Sequence, residues 1–261
     1  MKNLYKIILK KDLKVVFSNK MIWIPMIIMP AIFVIFFPVL FFVLAGLPEG
    51  ADDFSEIASK LGPEIALMNA SQLMIYFSFN FMMPTFFLLI PIISSSVIAG
   101  SSFVGEKEHK TIETLLYSPI KIRDLFLAKV FGSFIPSYGV TLISFVLFSI
   151  VTMIGQSFYF EEGFFPNTKW FVLIFWVCPA ISILAILLMI ISSAKSKNFQ
   201  ESQQKIVLII LPVILLTVGQ ATGLFALDTL ILLILGFVLF VINYILLTAA
   251  SNSFVPEKLI K

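Results

Sequence analysis

The residues with chemistry to offer are crowded into one short stretch, Gly105-Glu106-Lys107-Glu108-His109-Lys110-Thr111-Ile112-Glu113-Thr114-Leu115-Leu116-Tyr117-Ser118-Pro119. Carboxylates beside an imidazole could hold a metal or pass a proton. But His109 is the chain's one histidine and Cys178 its one cysteine, and a lone imidazole without thiolate partners does not build a zinc site. No Gly-x-Ser-x-Gly elbow presents a nucleophilic serine. Gly100-Ser-Ser-Phe-Val-Gly105 has the outline of a phosphate loop, yet Glu106 stands directly after the second glycine, where that motif needs lysine. A carboxylate there repels the phosphate it should hold. The stretch therefore offers no catalytic, metal or cofactor site, and energy from a nucleotide has to come from another polypeptide.

What the stretch offers instead is a surface. Thr111 can cap a helix, Glu113 falls in the first turn where negative charge complements the helix dipole, and Ser118 before Pro119 stops it. Ile112, Leu115 and Leu116 share one face, with Glu113, Thr114 and Tyr117 turned away, and Glu106 and Lys110 are spaced as a favourable pair. The pattern predicts a short amphipathic helix that plugs into a partner's groove. The plainer alternative is a helix lying on lipid or on neighbouring loops.

The elements around it are oily. Of the 261 residues, 59% are hydrophobic and 13% charged, with a mean hydropathy of +1.04. Soluble domains carry about 25% charged residues, so this is an all-α integral membrane protein. Six apolar runs reach spanning length: about 21–45, 73–104, 125–154, 170–191, 206–227 and 230–250. The charged segment, 105–124, hangs between the second and third. The second run would form ~48 Å of helix at ~1.5 Å per residue, longer than a ~30 Å bilayer core. It must tilt, kink or protrude.

Prolines at 25, 30, 38, 84, 91 and 136 interrupt the first three runs, which lipid tolerates where neighbours satisfy the freed backbone groups. Trp170 and Trp176 stand near the entry of the fourth run, where indoles favour the interface. The 29 phenylalanines sit almost wholly in apolar runs and read as packing and lipid-facing side chains. Cys178 reads as an apolar-facing thiol, and the acidic stretch 47–70 as a short surface helix.

Residues 1–20 place Leu4, Tyr5, Ile8, Leu9, Val15 and Val16 on one arc with Lys6, Lys10 and Lys14 opposite. That is an amphipathic helix in the membrane interface. A cleaved signal peptide is the rival reading, disfavoured because the basic region and the apolar run are both too long. No repeat of 20–50 residues recurs, so residues 1–261 form a single transmembrane domain.

With the N-terminus inside, all but Lys60 and Lys169 of the 18 Lys and Arg residues fall on the inner side. Lys107, Lys110, Lys121, Arg123 and Lys129 are among them. The positive-inside rule therefore places both termini and the charged segment in the cytoplasm. No run carries an obvious mid-membrane acid or base, with Asp228 read as a solvated turn residue. Ion-coupled carriers and voltage sensors usually need such groups. Nucleic acid is not a partner, because no basic patch with stacking aromatics lies outside the apolar runs.

Glu106-x-Glu108, Thr111-x-Glu113-x-Leu115-Leu116, Pro119 and Lys129 together resemble the cytoplasmic signature of ABC-2 type permeases, the membrane subunits of ATP-binding-cassette exporters. The layout is similar too: an interfacial helix, six spans, a coupling helix between spans two and three, and a closing hairpin. The connector from Asn198 to Gln204 is similar to that family's second cytoplasmic loop. Lys110 and Ala128 stand where the family often has glycine, which leaves the helix and its charges intact.

The resemblance implies a second permease (homodimer or heterodimer), two copies of an ATPase subunit holding ATP and Mg2+, and a multi-pass place in a bacterial cell membrane. It makes Glu106, Glu108, His109, Lys110, Thr111, Ile112, Glu113, Leu115, Leu116 and Pro119 the ATPase-coupling interface. It implies export of a hydrophobic or amphipathic cargo (peptide, antibiotic or lipid) or of Na+. Two other classes stay open on the residues alone. One is an energy-independent carrier or lipid scramblase, revealed by transport without ATP. The other is an intramembrane enzyme using His109, Asp228 or membrane serines.

Overall fold

The computed structural model describes residues 20–47, 67–108, 122–195, 207–221 and 228–253, with the single positions 18, 65, 201 and 204. These residues are helical apart from short connections, with no strand among them. Five of the described helices are long and apolar enough to cross a membrane. They are span 1 (Trp23–Ala45), span 2 (Ala70–Phe103), span 3 (Phe126–Gln156), span 4 (Thr168–Ser192) and a last span (Thr229–Ala249). The expected fifth run is seen as the helix Val207–Ala221, 15 residues long. At ~1.5 Å per residue that length falls short of a ~30 Å core, and residues 222–227 lie outside the described set. So does most of the expected interfacial helix, 1–20, and most of the acidic stretch, 47–70.

Local chemistry sets the boundaries. Span 2 starts at Ala70, earlier than the hydrophobicity alone indicates, because Asn69 and Gln72 form a reciprocal capping box. The Asn69 side chain accepts from the Gln72 amide at 2.8 Å, and the Gln72 side chain accepts from the Asn69 amide at 3.0 Å. Span 4 starts at Thr168 behind the Asn167 cap. Asp228 caps the last span, its carboxylate accepting from the Thr229 amide at 2.6 Å. The second run is not one uninterrupted α-helix, having a π-helical turn at Ser78–Met82 and an interruption at Leu88.

Burial sorts the spans into core and shell. The apolar window of span 2 is 72% buried and that of span 4 is 61% buried, against 22%, 22% and 17% for span 1, span 3 and the last span. Span 2 is thus the central helix, flanked by spans 1, 3 and 4 and touched by Val207–Ala221. Ser94, Ser95, Ser96 and Ala99 on span 2, with Ala180 and Ala185 on span 4, are all buried. Such small side chains let helix backbones approach closely where lipid gives no hydrophobic drive to associate.

The two tryptophans of span 4 part company. Trp176 is 37% exposed and bonds the Leu233 carbonyl at 3.0 Å. Trp170 is 0% exposed, so it is a core residue and not an interface anchor. Its ring centre lies 4.8 Å from Phe148, 5.4 Å from Phe165 and 5.6 Å from Phe87, an aromatic plug joining spans 2, 3 and 4. The phenylalanines divide likewise: Phe79, Phe87 and Phe148 are core, whereas Phe36, Phe131 and Phe237 face outward. Cys178 is buried, as an apolar-facing thiol should be.

Candidate functional site

The helix of span 2 runs on past its apolar span, which ends at Phe103. Its last helical segment, Leu89–Glu108, carries Glu106 and Glu108 in its final turn. The first carboxylates of the charged stretch are therefore a direct extension of the central helix. His109, Lys110, Thr111, Ile112, Glu113, Leu115, Leu116 and Pro119 lie outside the described residues, as does the rest of 109–121. The chain is described again at Ile122, where a helix of 35 residues begins and runs on as span 3.

The two ends of the stretch are tied together at the base. Lys129, one turn into span 3, donates from Nζ to the Ser102 carbonyl at 2.9 Å. The same ammonium stands 4.8 Å from the centre of the Phe103 ring, within cation–π range. Lys129 is 5% exposed, so a residue expected in cytoplasmic water is a buried strut. A lysine pays for burial only where carbonyl and ring replace the water it gives up. Ser102, Phe103 and Lys129 make further interactions of their own.

From that strut a polar seam runs along span 3. Lys129, Ser133, Ser137, Thr141, Ser144, Thr152 and Gln156 are all buried, while Phe131, Ile135, Ile143, Val146, Leu147 and Ile150 are exposed. The helix is amphipathic in reverse, hydroxyls inward and hydrocarbon outward, as lipid demands. Ser95 donates to Ser137 at 3.0 Å across the interface with span 2. Thr141 and Ser144 return their hydroxyls to their own helix, to the Ser137 and Val140 carbonyls. Sequence reasoning overlooked this seam, although the spacing of small hydroxyl residues inside an apolar run was its signal.

At the opposite end of the bundle, polar side chains knit loops to spans. Gln156 Nε2 donates to the Phe165 carbonyl at 3.1 Å and its Oε1 accepts from the Phe165 amide at 3.1 Å. Gln72 Nε2 donates to the Tyr159 carbonyl at 2.9 Å, and Tyr159 donates from its hydroxyl to the Phe42 carbonyl at 2.7 Å. Asn167 Nδ2 donates to Asn80 Oδ1 at 2.7 Å, and Lys169 Nζ donates to the Asn80 carbonyl. Gln220 Nε2, on the short helix, donates to Thr85 Oγ1. No cluster of His, Cys, Asp and Glu among the described residues is fit to hold a metal.

The described residues thus form a helical bundle whose central helix carries acidic residues at one end and whose loops are hydrogen-bonded to the spans at the other. Residues 3–219 match the family described as ABC-2 type transporter. No curated protein matches the chain, and no solved structure does.

Proposed function

Because the chain belongs to the ABC-2 type transporter family, we propose that it forms the translocation pathway of an ATP-binding-cassette exporter and takes its energy from a separate ATPase. Membership makes it a multi-pass membrane transport subunit and not itself an enzyme.

The attachment of the charged stretch supports the coupling role. Its incoming end extends the most buried span, its outgoing end opens span 3, and the Lys129–Ser102 bond joins the two. A partner that displaces residues 105–119 would load the central helix with little slack. Ile112, Leu115 and Leu116 then seat the coupling helix in the ATPase, and Glu106, Glu108 and His109 lie beside it. The basic-residue asymmetry supports a cytoplasmic position for this stretch and for both termini. The working unit is two permeases with two ATPase subunits, which hold the ATP and Mg2+. The cargo class is hydrophobic or amphipathic, or Na+.

The test is to express the chain with an ATPase encoded beside it and to purify the pair. Wild-type permease retains the ATPase and stimulates its hydrolysis. Leu115→Asp combined with Leu116→Asp abolishes the stimulation while the spans stay folded. Full stimulation by the double variant would overturn the coupling assignment.

A further inference from the structure

Three spans obey one rule. In each, a five-residue π-helical turn ends two residues before a proline: Ile32–Phe36 before Pro38 in span 1, Ser78–Met82 before Pro84 in span 2, and Leu173–Val177 before Pro179 in span 4. Each turn is closed by a widened main-chain bond, from the Phe37 amide to the Ile32 carbonyl, the Met83 amide to the Ser78 carbonyl, and the Cys178 amide to the Leu173 carbonyl. The next donor in line would be the proline's, which does not exist. A carbonyl about one turn back is therefore left facing a ring, and the hydrocarbon core has no water to satisfy it.

In spans 2 and 4 a neighbouring helix supplies the missing donor. In span 4 the Ile174 carbonyl accepts from the Tyr138 hydroxyl of span 3 at 3.1 Å. In span 2 the Asn80 carbonyl accepts from Lys169 Nζ of span 4, and that ammonium stands 5.1 Å from the centre of the Phe81 ring. The turns of spans 2 and 4 lie towards the end opposite the charged stretch, whereas that of span 1 lies near the middle of its span. Rings pack span 1 on span 2 beside these turns, with Phe41 at 6.4 Å from Phe79 and Phe37 at 5.5 Å from Phe86.

A π turn followed by proline is a helix with rungs missing, and helices bend where rungs are missing. A side-chain donor on another helix, unlike an amide in the ladder, can leave and return. We propose that the π–proline turns of spans 2 and 4 form a hinge near the far end of the permease, and that Lys169 and Tyr138 are positioning residues that latch it shut until transport opens that end. The inference rests on the permease reading given above.

Cys178 is the reporter, being the chain's one cysteine, fully buried and at the junction between the span 4 turn and Pro179. Maleimides react with the thiolate, so labelling needs water at that level. The experiment measures N-ethylmaleimide labelling of Cys178 in the full chain, reconstituted in liposomes. Tyr138→Phe raises the rate about threefold, the population shift given by an average interhelical hydrogen bond within a membrane. Pro179→Ala restores a main-chain donor, so adding it to Tyr138→Phe returns the rate to the wild-type value.

An unchanged rate in folded Tyr138→Phe, or a raised rate that Pro179→Ala leaves uncorrected, overturns the latch. Neither measurement needs ATP or cargo, so both stand even where the ATPase coupling fails. With the partner ATPase present, ATP and vanadate raise the wild-type rate towards that of Tyr138→Phe. No change, in a complex whose ATPase the permease stimulates, overturns the role of the latch in the cycle.

Discussion

Lys129 and Ser102 lie 27 residues apart in the chain and 2.9 Å apart in space, ammonium to carbonyl. Every residue of the proposed coupling stretch lies between them, so this bond is one of the contacts by which the stretch is mounted. Lys129→Met loses this bond but also removes the desolvation cost of a buried ammonium, and the two offset each other. Lys129→Met is therefore expected to change the thermal midpoint little. A hydrogen bond to a charged group contributes ~1.5 kcal/mol or more, which corresponds to roughly tenfold in an equilibrium. A loss of about that size is expected in stimulated ATP hydrolysis, with the ATPase still bound. An unfolded Lys129→Met, or one with full stimulation, would contradict the mechanical role.

Gln156 holds both the amide and the carbonyl of Phe165 and is 5% exposed. Gln156→Leu strands two backbone groups, each costing ~1–3 kcal/mol when buried unmade. Thermal denaturation in detergent should show a marked drop. Gln156→Glu keeps only the acceptor half and should fall between.

Gly155 faces the Phe42 ring so closely that a Cβ would land on it. Gly155→Ala is expected to cost ~1–3 kcal/mol by overpacking. Phe42→Leu should recover part of the loss in the double variant, although alone it destabilises the core. Additive losses in that cycle would show that the contact is not the cause.

Ser133 and Ser137 are neighbours on one seam with different predicted fates. Ser137 accepts a bond from Ser95 and passes its own proton to the Phe134 carbonyl at 3.0 Å, so Ser137→Ala should lose ~0.6 kcal/mol, the mean for such bonds in membranes. The Ser133 hydroxyl is buried without a hydrogen-bond partner among the described residues, so Ser133→Ala should be neutral or slightly stabilising. Unfolding midpoints of the two variants decide the matter.

The apolar runs were legible because lipid imposes one rule on composition over ~20 residues, and five of the six reappear as helices of spanning length. The seam on span 3 was written in the spacing of Ser133, Ser137 and Thr141, but hydropathy averages such residues away. The prolines at 84 and 179 were plain to see, yet the π turns before them depend on donors brought from elsewhere. Nothing local to Ile174 announces Tyr138, and nothing near Asn80 announces Lys169. The burial of Trp170 and Lys129 was hidden for the same reason: a side chain's depth depends on which helices close over it. The coupling residues from His109 to Pro119 remain a reading of the sequence.

Span 2 is packed against neighbours along most of its surface. A helix held that way has surrendered its separate degrees of freedom, for it can neither rotate nor slide without carrying others along. Under the proposed coupling, a small displacement at Glu108 is spread over the whole bundle, and only a sustained push shifts the far end. The oily centre of the molecule would then act as a threshold, deaf to noise and responsive to work.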